Sequence, residues 1–222
     1  LTGSVGKTTT KEFIALVLGA KYKTLKTQGN LNNEIGVPQM LFRLDYQTEA
    51  AVIEMGMNHF GEIQRLSNAV EPTLSLITNI GVSHIENLGS REGILKAKTE
   101  ILSGMKHGYP LILNGDDDML QTVDLGDDYP VITYAVKNTQ NADFIAENII
   151  EKDGKTTFTV SFCNHTIKQE ITIPTIGIHN VYNALAAFAV GYILQVDYQS
   201  AADALAAYVP EGMRQKSVAF NG

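Results

Sequence analysis

The sequence has little that would suit an exported, membrane-spanning or nucleic-acid-binding protein. Cys163 is the single cysteine among 222 residues, so no disulfide can form within the chain, as is usual in a reducing compartment. No stretch reaches the roughly 18 consecutive apolar residues of a membrane span, and no signal peptide is visible. The formal net charge of −7 argues against nucleic acid as the main partner, because phosphate binding favours a basic face. We expect a cytoplasmic monomer with no nucleic-acid partner and no membrane span.

What the sequence does contain is an alternation of short apolar runs and helical stretches. Hydrophobic residues make up 44% of the chain, which is enough for a core. Strands that alternate with helices indicate a parallel sheet covered by helices on both faces. The predicted strands are KYKTLKT, AAVIEMG, LSLITNIG, YPLILNGDD and PVITYAV. Helices are predicted after the first glycines and in NEIGVPQMLFRL, GEIQRLSNAV, SREGILKAKTEILSGM, HNVYNALAAFAVGYILQV and YQSAADALAAYV, with a serine capping the fourth of these six.

The pattern changes over about residues 141–174. Apolar and polar residues there alternate with a period of two, and Asp153-Gly154 has the composition of a tight hairpin turn. This stretch predicts a small antiparallel sheet appended to the main one. The predicted fold class is therefore α/β, with a mostly parallel sheet flanked by helices.

A glycine-rich loop stands at the very start of the chain, in LTGSVGKTTTKEF. Its glycines let backbone N–H groups converge on phosphate oxygens, and the helix that follows directs its positive dipole end at the same place. Lys7 can reach terminal phosphates, and the Thr8 hydroxyl can bind magnesium. The full Walker A spacing requires a glycine where Leu1 stands, so a simple glycine-rich turn is the alternative. The predicted phosphate-binding residues are Gly3, Ser4, Gly6, Lys7, Thr8 and Thr9.

Further candidates follow the next buried strands. Glu54 ends one strand and is placed to bind magnesium, although a turn-capping glutamate is about equally expected from position alone. Asn79 and His84 follow the neighbouring strand. The carboxyl ends of parallel strands share one edge of a sheet, so these groups should meet the glycine-rich loop there. The spacing alone predicts that Lys98 is a solvated lysine on the surface of a helix.

Several stretches together resemble the Mur ligase superfamily, the ATP-dependent amide ligases of peptidoglycan precursor synthesis. They are TGSVGKTTTKE, GNLNNEIGVP, EMGMNHFGEI, TNIGVSHIENLGSREGILKAKTEI, GIHNVYNALAA and GMRQ. NLNNEIGVP and EMGMNHFGEI point to the member that joins D-alanyl-D-alanine to UDP-N-acetylmuramoyl tripeptide. Those two molecules are the substrates that the resemblance implies, with ATP and Mg²⁺ as cofactors.

The resemblance also implies roles for individual residues. Lys7 and Thr8 would hold ATP phosphates and a first magnesium ion, with Lys7, His84 and Lys98 as the catalytic group. Glu54 would bind magnesium, His84 would bind a second ion, and Lys98 would be carbamylated into an anion that supports the metal. The remaining implied contacts are Asn32 and Asn33 for the UDP-linked substrate, Asn180 and Asn183 for adenine, and Arg214 for the phosphates.

The sequence departs from the family pattern at two positions: Val5 stands where asparagine is common, and Phe60 where proline is common. Phe60 puts the path of its loop in doubt. Neither change removes a charged or metal-binding group.

The family has three domains, and residues 1–222 resemble the central ATP-binding domain alone, without the UDP-substrate domain and the Rossmann-like domain. The chain begins with Leu1, so we expect the natural N-terminus to precede it. Alternatives are another Mur-type ligase, a folylpolyglutamate synthetase-like ligase, or a nucleotide-binding module that ligates nothing by itself. A P-loop kinase ranks lower, because kinase chemistry does not need His84, Lys98 and the asparagine-rich NLNN.

Overall fold

A computed structural model describes residues 1–138, 140, 142–162, 164 and 166–210. It confirms the predicted α/β class: helices cover a largely parallel sheet. The helices are α1 (Lys7–Gly19), α2 (Gly36–Leu41), α3 (Glu62–Val70), α4 (Ile85–Leu88), α5 (Arg91–Thr99), α6 (Ile178–Ile193) and α7 (Tyr198–Ala206), with 3₁₀ turns at Glu100–Gly104 and Leu120–Thr122. None of these helices is long and apolar enough to cross a membrane. Ser90 caps α5 as predicted, since its side chain accepts a hydrogen bond from Gly93 N.

The strands are short and form two hydrogen-bonded sheets. They are β1 (Thr24–Lys26), β2 (Ala50–Val52), β3 (Ser75–Ile77), β4 (Leu111–Asn114), β5 (Val131–Ala135), β6 (Phe144–Lys152), β7 (Lys155–Phe162) and β8 (Ile167–Ile173). β1 and β2 pair in parallel, and β3 to β8 form one six-stranded sheet in chain order. Each predicted strand is present, but most are trimmed at their ends. Helix α4 was not predicted.

Leu1 and Thr2 connect the two sheets. Met55 N donates to Leu1 O (2.8 Å), beyond the end of β2, while Thr2 N donates to Leu76 O (2.9 Å) and Thr2 O accepts from Thr78 N (3.0 Å) on the other side. The backbone of these two residues therefore lies between β2 and β3, where a strand would lie. This position delivers the glycine-rich loop to the carboxyl edge of both sheets.

The predicted antiparallel strands are an extension of the main sheet. β5 and β6 pair in parallel, and β6, β7 and β8 then pair antiparallel. Asp153 and Gly154 join β6 to β7 with φ values of 51° and 75°, respectively. Positive φ at both central residues is the geometry that Asp-Gly favours in two-residue hairpins. The antiparallel strands β6, β7 and β8 therefore form one end of the same six-stranded sheet.

Alternating strand residues supply two cores, one on each face. Leu76 and Ile112 pack with α1 and α6 on one face. Ile77 and Leu111 pack on the other face, against side chains of α3 and α5. Successive side chains of a strand point to opposite faces, so a strand covered by helices on both sides must be apolar throughout. This explains why the central strands read as continuous apolar runs.

Candidate functional site

The glycine-rich loop is held so tightly that both of its glycines are required. Gly6 precedes α1 with φ of 81°, and a Cβ atom there would lie 2.8 Å from Asn183 Oδ1. A Cβ atom on Gly3 would lie 1.9 Å from Thr78 Oγ1. Within the loop, Lys7 Nζ donates to Gly3 O (2.8 Å). Any larger residue at either position would displace the loop from the start of α1.

Residues that follow β3 hold the loop from outside. Asn79 makes two hydrogen bonds with the backbone of Val5: its Oδ1 accepts from Val5 N (3.0 Å) and its Nδ2 donates to Val5 O (2.9 Å). Thr78 Oγ1 donates to the same carbonyl (2.9 Å). Val5 contributes only backbone to these bonds and its side chain is exposed. The departure from asparagine at this position therefore leaves the loop's anchoring intact.

Glu54 lies beyond the end of β2 and is buried beside the loop. Its Oε1 accepts a hydrogen bond from Asn32 Nδ2 (2.9 Å) and lies 3.5 Å from Thr8 Oγ1. Its Oε2 is buried and has no hydrogen-bond partner among the described residues. A buried carboxylate oxygen without a donor is strongly destabilised unless a cation approaches it. Oxygens from Thr8 and Glu54 are the ligand type that Mg²⁺ prefers, so these residues fit the magnesium ion that the family implies.

Lys7 and Lys98 are both largely buried, and the charge of Lys7 acts on Lys98. Burial lowers the pKa of Lys7, while the charge of Glu54 acts in the opposite direction. Burial, together with the smaller effect of the nearby Lys7 charge, lowers the pKa of Lys98 to about 7. The Lys98 side chain is only 3% exposed. It is therefore no solvated helix lysine, and its amine is far easier to deprotonate than that of an ordinary lysine.

The cleft above the loop has a volume of about 980 Å³. Residues of the loop and of α6 line the cleft, and Asn32 and Glu54 also contribute to its wall. Of the predicted site residues, the structure brings together Ser4, Gly6, Lys7, Thr8, Thr9, Asn32, Glu54, Asn180 and Asn183.

The other predicted residues are not part of the cleft wall. Gly3 belongs to the loop but does not line the cleft, and His84 precedes α4 with φ of 65°, also outside the wall. Asn33 holds the start of α2, because its Oδ1 accepts hydrogen bonds from the backbone N–H groups of residues 35 and 36. Lys98 is buried on α5, also outside the wall. Arg214 lies outside the described residues. The roles of all the predicted site residues, inside and outside the cleft wall, remain predictions.

Two asparagines of α6 are held by the protein in defined orientations. Asn183 Oδ1 accepts a hydrogen bond from Thr10 Oγ1 (3.0 Å), and Asn180 Nδ2 donates to Ile176 O (2.8 Å). Both residues are largely buried and line the cleft. Asn183 touches the glycine-rich loop, and Asn180 lies about one turn earlier along α6.

Sequence reasoning missed several residues of the cleft, among them Tyr182. Its hydroxyl donates to Asp116 Oδ2 (2.7 Å), which also accepts from Val136 N (2.7 Å) and Lys137 N (2.9 Å). Burial alone would raise the pKa of Asp116, but these hydrogen bonds lower it overall. The carboxylate thereby ties α6 to the turn after β5. Tyr182 stands within the quoted GIHNVYNALAA, but no local pattern reveals a partner 66 residues away.

Phe60 occupies a defined place against α5. Its ring lies 5.9 Å from Lys96 Nζ, within the range of a cation–π contact. The backbone of Gly93 lies close to the same ring. The loop that carries Phe60 is therefore packed on the helix that holds Lys98, despite the missing proline.

A glycine-rich loop opening a helix, with a buried carboxylate beside it at the carboxyl edge of a parallel sheet, defines a P-loop nucleotide-binding domain. The family model described as the Mur ligase middle domain matches residues 1–191. The chain belongs to the Mur ligase family.

Relatives with assigned functions agree with this membership. The chain is 41% identical over 214 residues to the UDP-N-acetylmuramoyl-tripeptide--D-alanyl-D-alanine ligase of Bacillus subtilis, covering 96% of this chain and 45% of the relative. It is 40% identical over 190 residues to the Escherichia coli ligase of the same name, covering 85% of this chain and 41% of the relative. The chain thus spans less than half the length of these relatives.

Solved structures show the same fold. A crystal structure of MurF from Acinetobacter baumannii superposes with a TM-score of 0.90 at 32% identity, covering 99% of this chain and 48% of that one. The MurF ligase from Thermotoga maritima in complex with ADP superposes with a TM-score of 0.80 at 26% identity, covering 91% of this chain and 47% of that one.

Proposed function

We propose that residues 1–222 form the central ATP-binding domain of an amide ligase that joins D-alanyl-D-alanine to UDP-N-acetylmuramoyl tripeptide. The observation that carries the proposal is the meeting of Lys7, Thr8 and the buried Glu54 carboxylate in one cleft. The names of the relatives supply the substrates. A UDP-substrate domain and a Rossmann-like domain would complete such an enzyme.

The loop and its neighbours would bind and orient the triphosphate. The backbone N–H groups of the loop and the start of α1 offer hydrogen bonds and a positive dipole end to phosphate oxygens. Lys7 adds a cation in a buried setting, where electrostatic interactions are strong. Thr8 and Glu54 would hold a magnesium ion, and His84 a second one. Bound magnesium would neutralise phosphate charge and polarise the γ-phosphoryl group.

The proposed reaction activates a carboxylate. An oxygen of the tripeptide carboxylate attacks the γ-phosphorus of ATP, the bond to the β,γ-bridging oxygen breaks, and ADP leaves with an acyl phosphate formed. The amine of D-alanyl-D-alanine then attacks the acyl carbon, loses a proton, and expels inorganic phosphate from a tetrahedral intermediate. Both steps bring anions together. Lys7, and Arg214 after domain closure, would offset that repulsion, and Asn32 would hold Glu54 in place.

The test is release of inorganic phosphate by the complete ligase, with ATP, magnesium, UDP-N-acetylmuramoyl tripeptide and D-alanyl-D-alanine, omitting one component at a time. We expect release to require all four. Release that ignored the dipeptide would overturn the proposed acceptor and favour another Mur-type or a folylpolyglutamate synthetase-like ligase. ATP binding without any release would favour a nucleotide-binding module.

We also infer, on the family resemblance and the burial of Lys98, that this amine reacts with CO₂ to form a carbamate. The ammonium group first loses one proton. The free amine nitrogen then bonds to the carbon of CO₂ and loses a second proton, so that a cation becomes an anion. With ¹³C-bicarbonate we expect a carbamate carbon signal that Lys98→Arg removes. Lys96→Arg on the same helix should keep the signal, because Lys96 faces solvent more than Lys98 does. A spectrum without the signal in the wild type would contradict the inference.

A further inference from the structure

We propose that the hydroxyl of Thr175 is a binding contact for the nucleoside part of the nucleotide. The inference rests on the proposed function and extends it by one residue. Thr175 lies in the connection between β8 and α6 and lines the cleft. It is 5% exposed, and its Oγ1 is buried with no hydrogen-bond partner among the described residues.

A buried hydroxyl without a partner is rare in folded proteins, because its hydrogen bonds to water are lost and not replaced. The surrounding backbone is also held in place. Thr175 O accepts from Thr156 Oγ1 (2.7 Å), and the next carbonyl, Ile176 O, accepts from Asn180 Nδ2 (2.8 Å). Thr175 is thus fixed on both sides while its hydroxyl is left for a ligand. The same argument that assigns a cation to Glu54 assigns a polar partner to Thr175.

The position of Thr175 along the cleft indicates which part of the nucleotide would contact its hydroxyl. Asn183 lies against Gly6 of the phosphate-binding loop, and Asn180 lies about one helical turn farther away. Thr175 precedes the helix in the chain, on the side of Asn180 away from Asn183. Phosphates held by the loop would leave the ribose and base toward this side. A threonine hydroxyl both donates and accepts, which suits a ribose hydroxyl or a base edge.

The test measures binding of ATP and of inorganic tripolyphosphate to the complete ligase by isothermal titration calorimetry. Thr175→Val keeps the side-chain shape and removes the hydroxyl. We expect the Kd for ATP to rise about 3- to 10-fold, the size of one lost hydrogen bond, and the Kd for tripolyphosphate to stay unchanged. Thr175→Ser should retain wild-type ATP affinity. Titration with 2′-deoxy-ATP identifies the nucleoside group that contacts Thr175. If the wild type and Thr175→Val bind 2′-deoxy-ATP with equal affinity, the group is the ribose 2′-hydroxyl. If Thr175→Val loses as much affinity for 2′-deoxy-ATP as for ATP, the group is another part of the nucleoside.

Ser75→Ala is the matched control, because Ser75 Oγ is also buried and unpartnered in the described part of the chain but lies outside the cleft wall. It should leave the Kd for ATP unchanged. Should Thr175→Val fold poorly, the pair Thr175→Ala and Thr175→Ser gives the same comparison. Equal ATP affinity with and without the hydroxyl would overturn the inference. A wild type that binds no ATP would instead overturn the proposed function.

Discussion

Replacing Lys7 with alanine is expected to lower kcat of the complete ligase by about 10²- to 10³-fold or more, the range for losing one preorganised charge-stabilising group. The ammonium group lies within the loop, hydrogen-bonded to Gly3 O, and no second lysine lines the described part of the cleft. Phosphoryl transfer depends mainly on positioning and charge stabilisation, so loss of this cation should affect the transition state most. Phosphate release at saturating substrates measures the effect.

Lys96→Ala is the control for Lys7→Ala, since it removes the same charge from α5 outside the cleft wall. It should reduce kcat less than about twofold, because surface substitutions away from a site have small effects. Substantial ATP-dependent ligation by Lys7→Ala would sink the assignment of the loop as the catalytic phosphate site. Far-UV circular dichroism of both variants excludes unfolding as the cause.

Glu54→Gln is expected to weaken magnesium dependence strongly. The substitution keeps the shape and the Oε1 acceptor for Asn32. It replaces Oε2, which has no hydrogen-bond partner in the described part of the chain, with a neutral amide nitrogen that repels a cation. Mutation of a residue that supports a metal ligand commonly lowers metal affinity or activity by about 10- to 100-fold. Loss of a direct metal ligand should lower them at least as much. A magnesium titration of phosphate release should show a higher half-saturating concentration and a lower maximum rate.

Glu170→Gln provides the comparison for Glu54→Gln, because Glu170 is an exposed glutamate on β8, outside the cleft wall. Its magnesium titration should match that of the wild type. An unchanged titration in Glu54→Gln would mean that the buried oxygen has another partner, and would remove Glu54 from the metal site. The thermal midpoint without magnesium adds a second readout: loss of an unpaired buried charge should leave the variant at least as stable as the wild type.

Local features of the chain could be predicted from the sequence, because interactions between residues close together in the chain determine them. Gly6 needs a positive φ before α1, and Asp153-Gly154 needs it in a hairpin; side-chain sterics restrict such positions to few residues. Continuous apolar runs indicated strands buried on both faces, and Ser90 indicated a helix start. The same reasoning missed α4, a single short turn with no amphipathic repeat, and overestimated most strand lengths.

The sequence by itself determined the class of fold, the phosphate-binding loop and the edge of the sheet where polar residues gather, because backbone sterics and hydrophobic periodicity act over a few residues. Only the tertiary structure decided which side chains meet there. It paired Asn79 with Val5, Tyr182 with Asp116 and Thr10 with Asn183 across 66 to 173 residues of chain. It also buried Lys98, left oxygens of Glu54 and Thr175 without hydrogen-bond partners among the described residues, and joined β6 to β5. Such contacts depend on the spatial order of the strands in the folded sheet, and no local sequence pattern encodes that order.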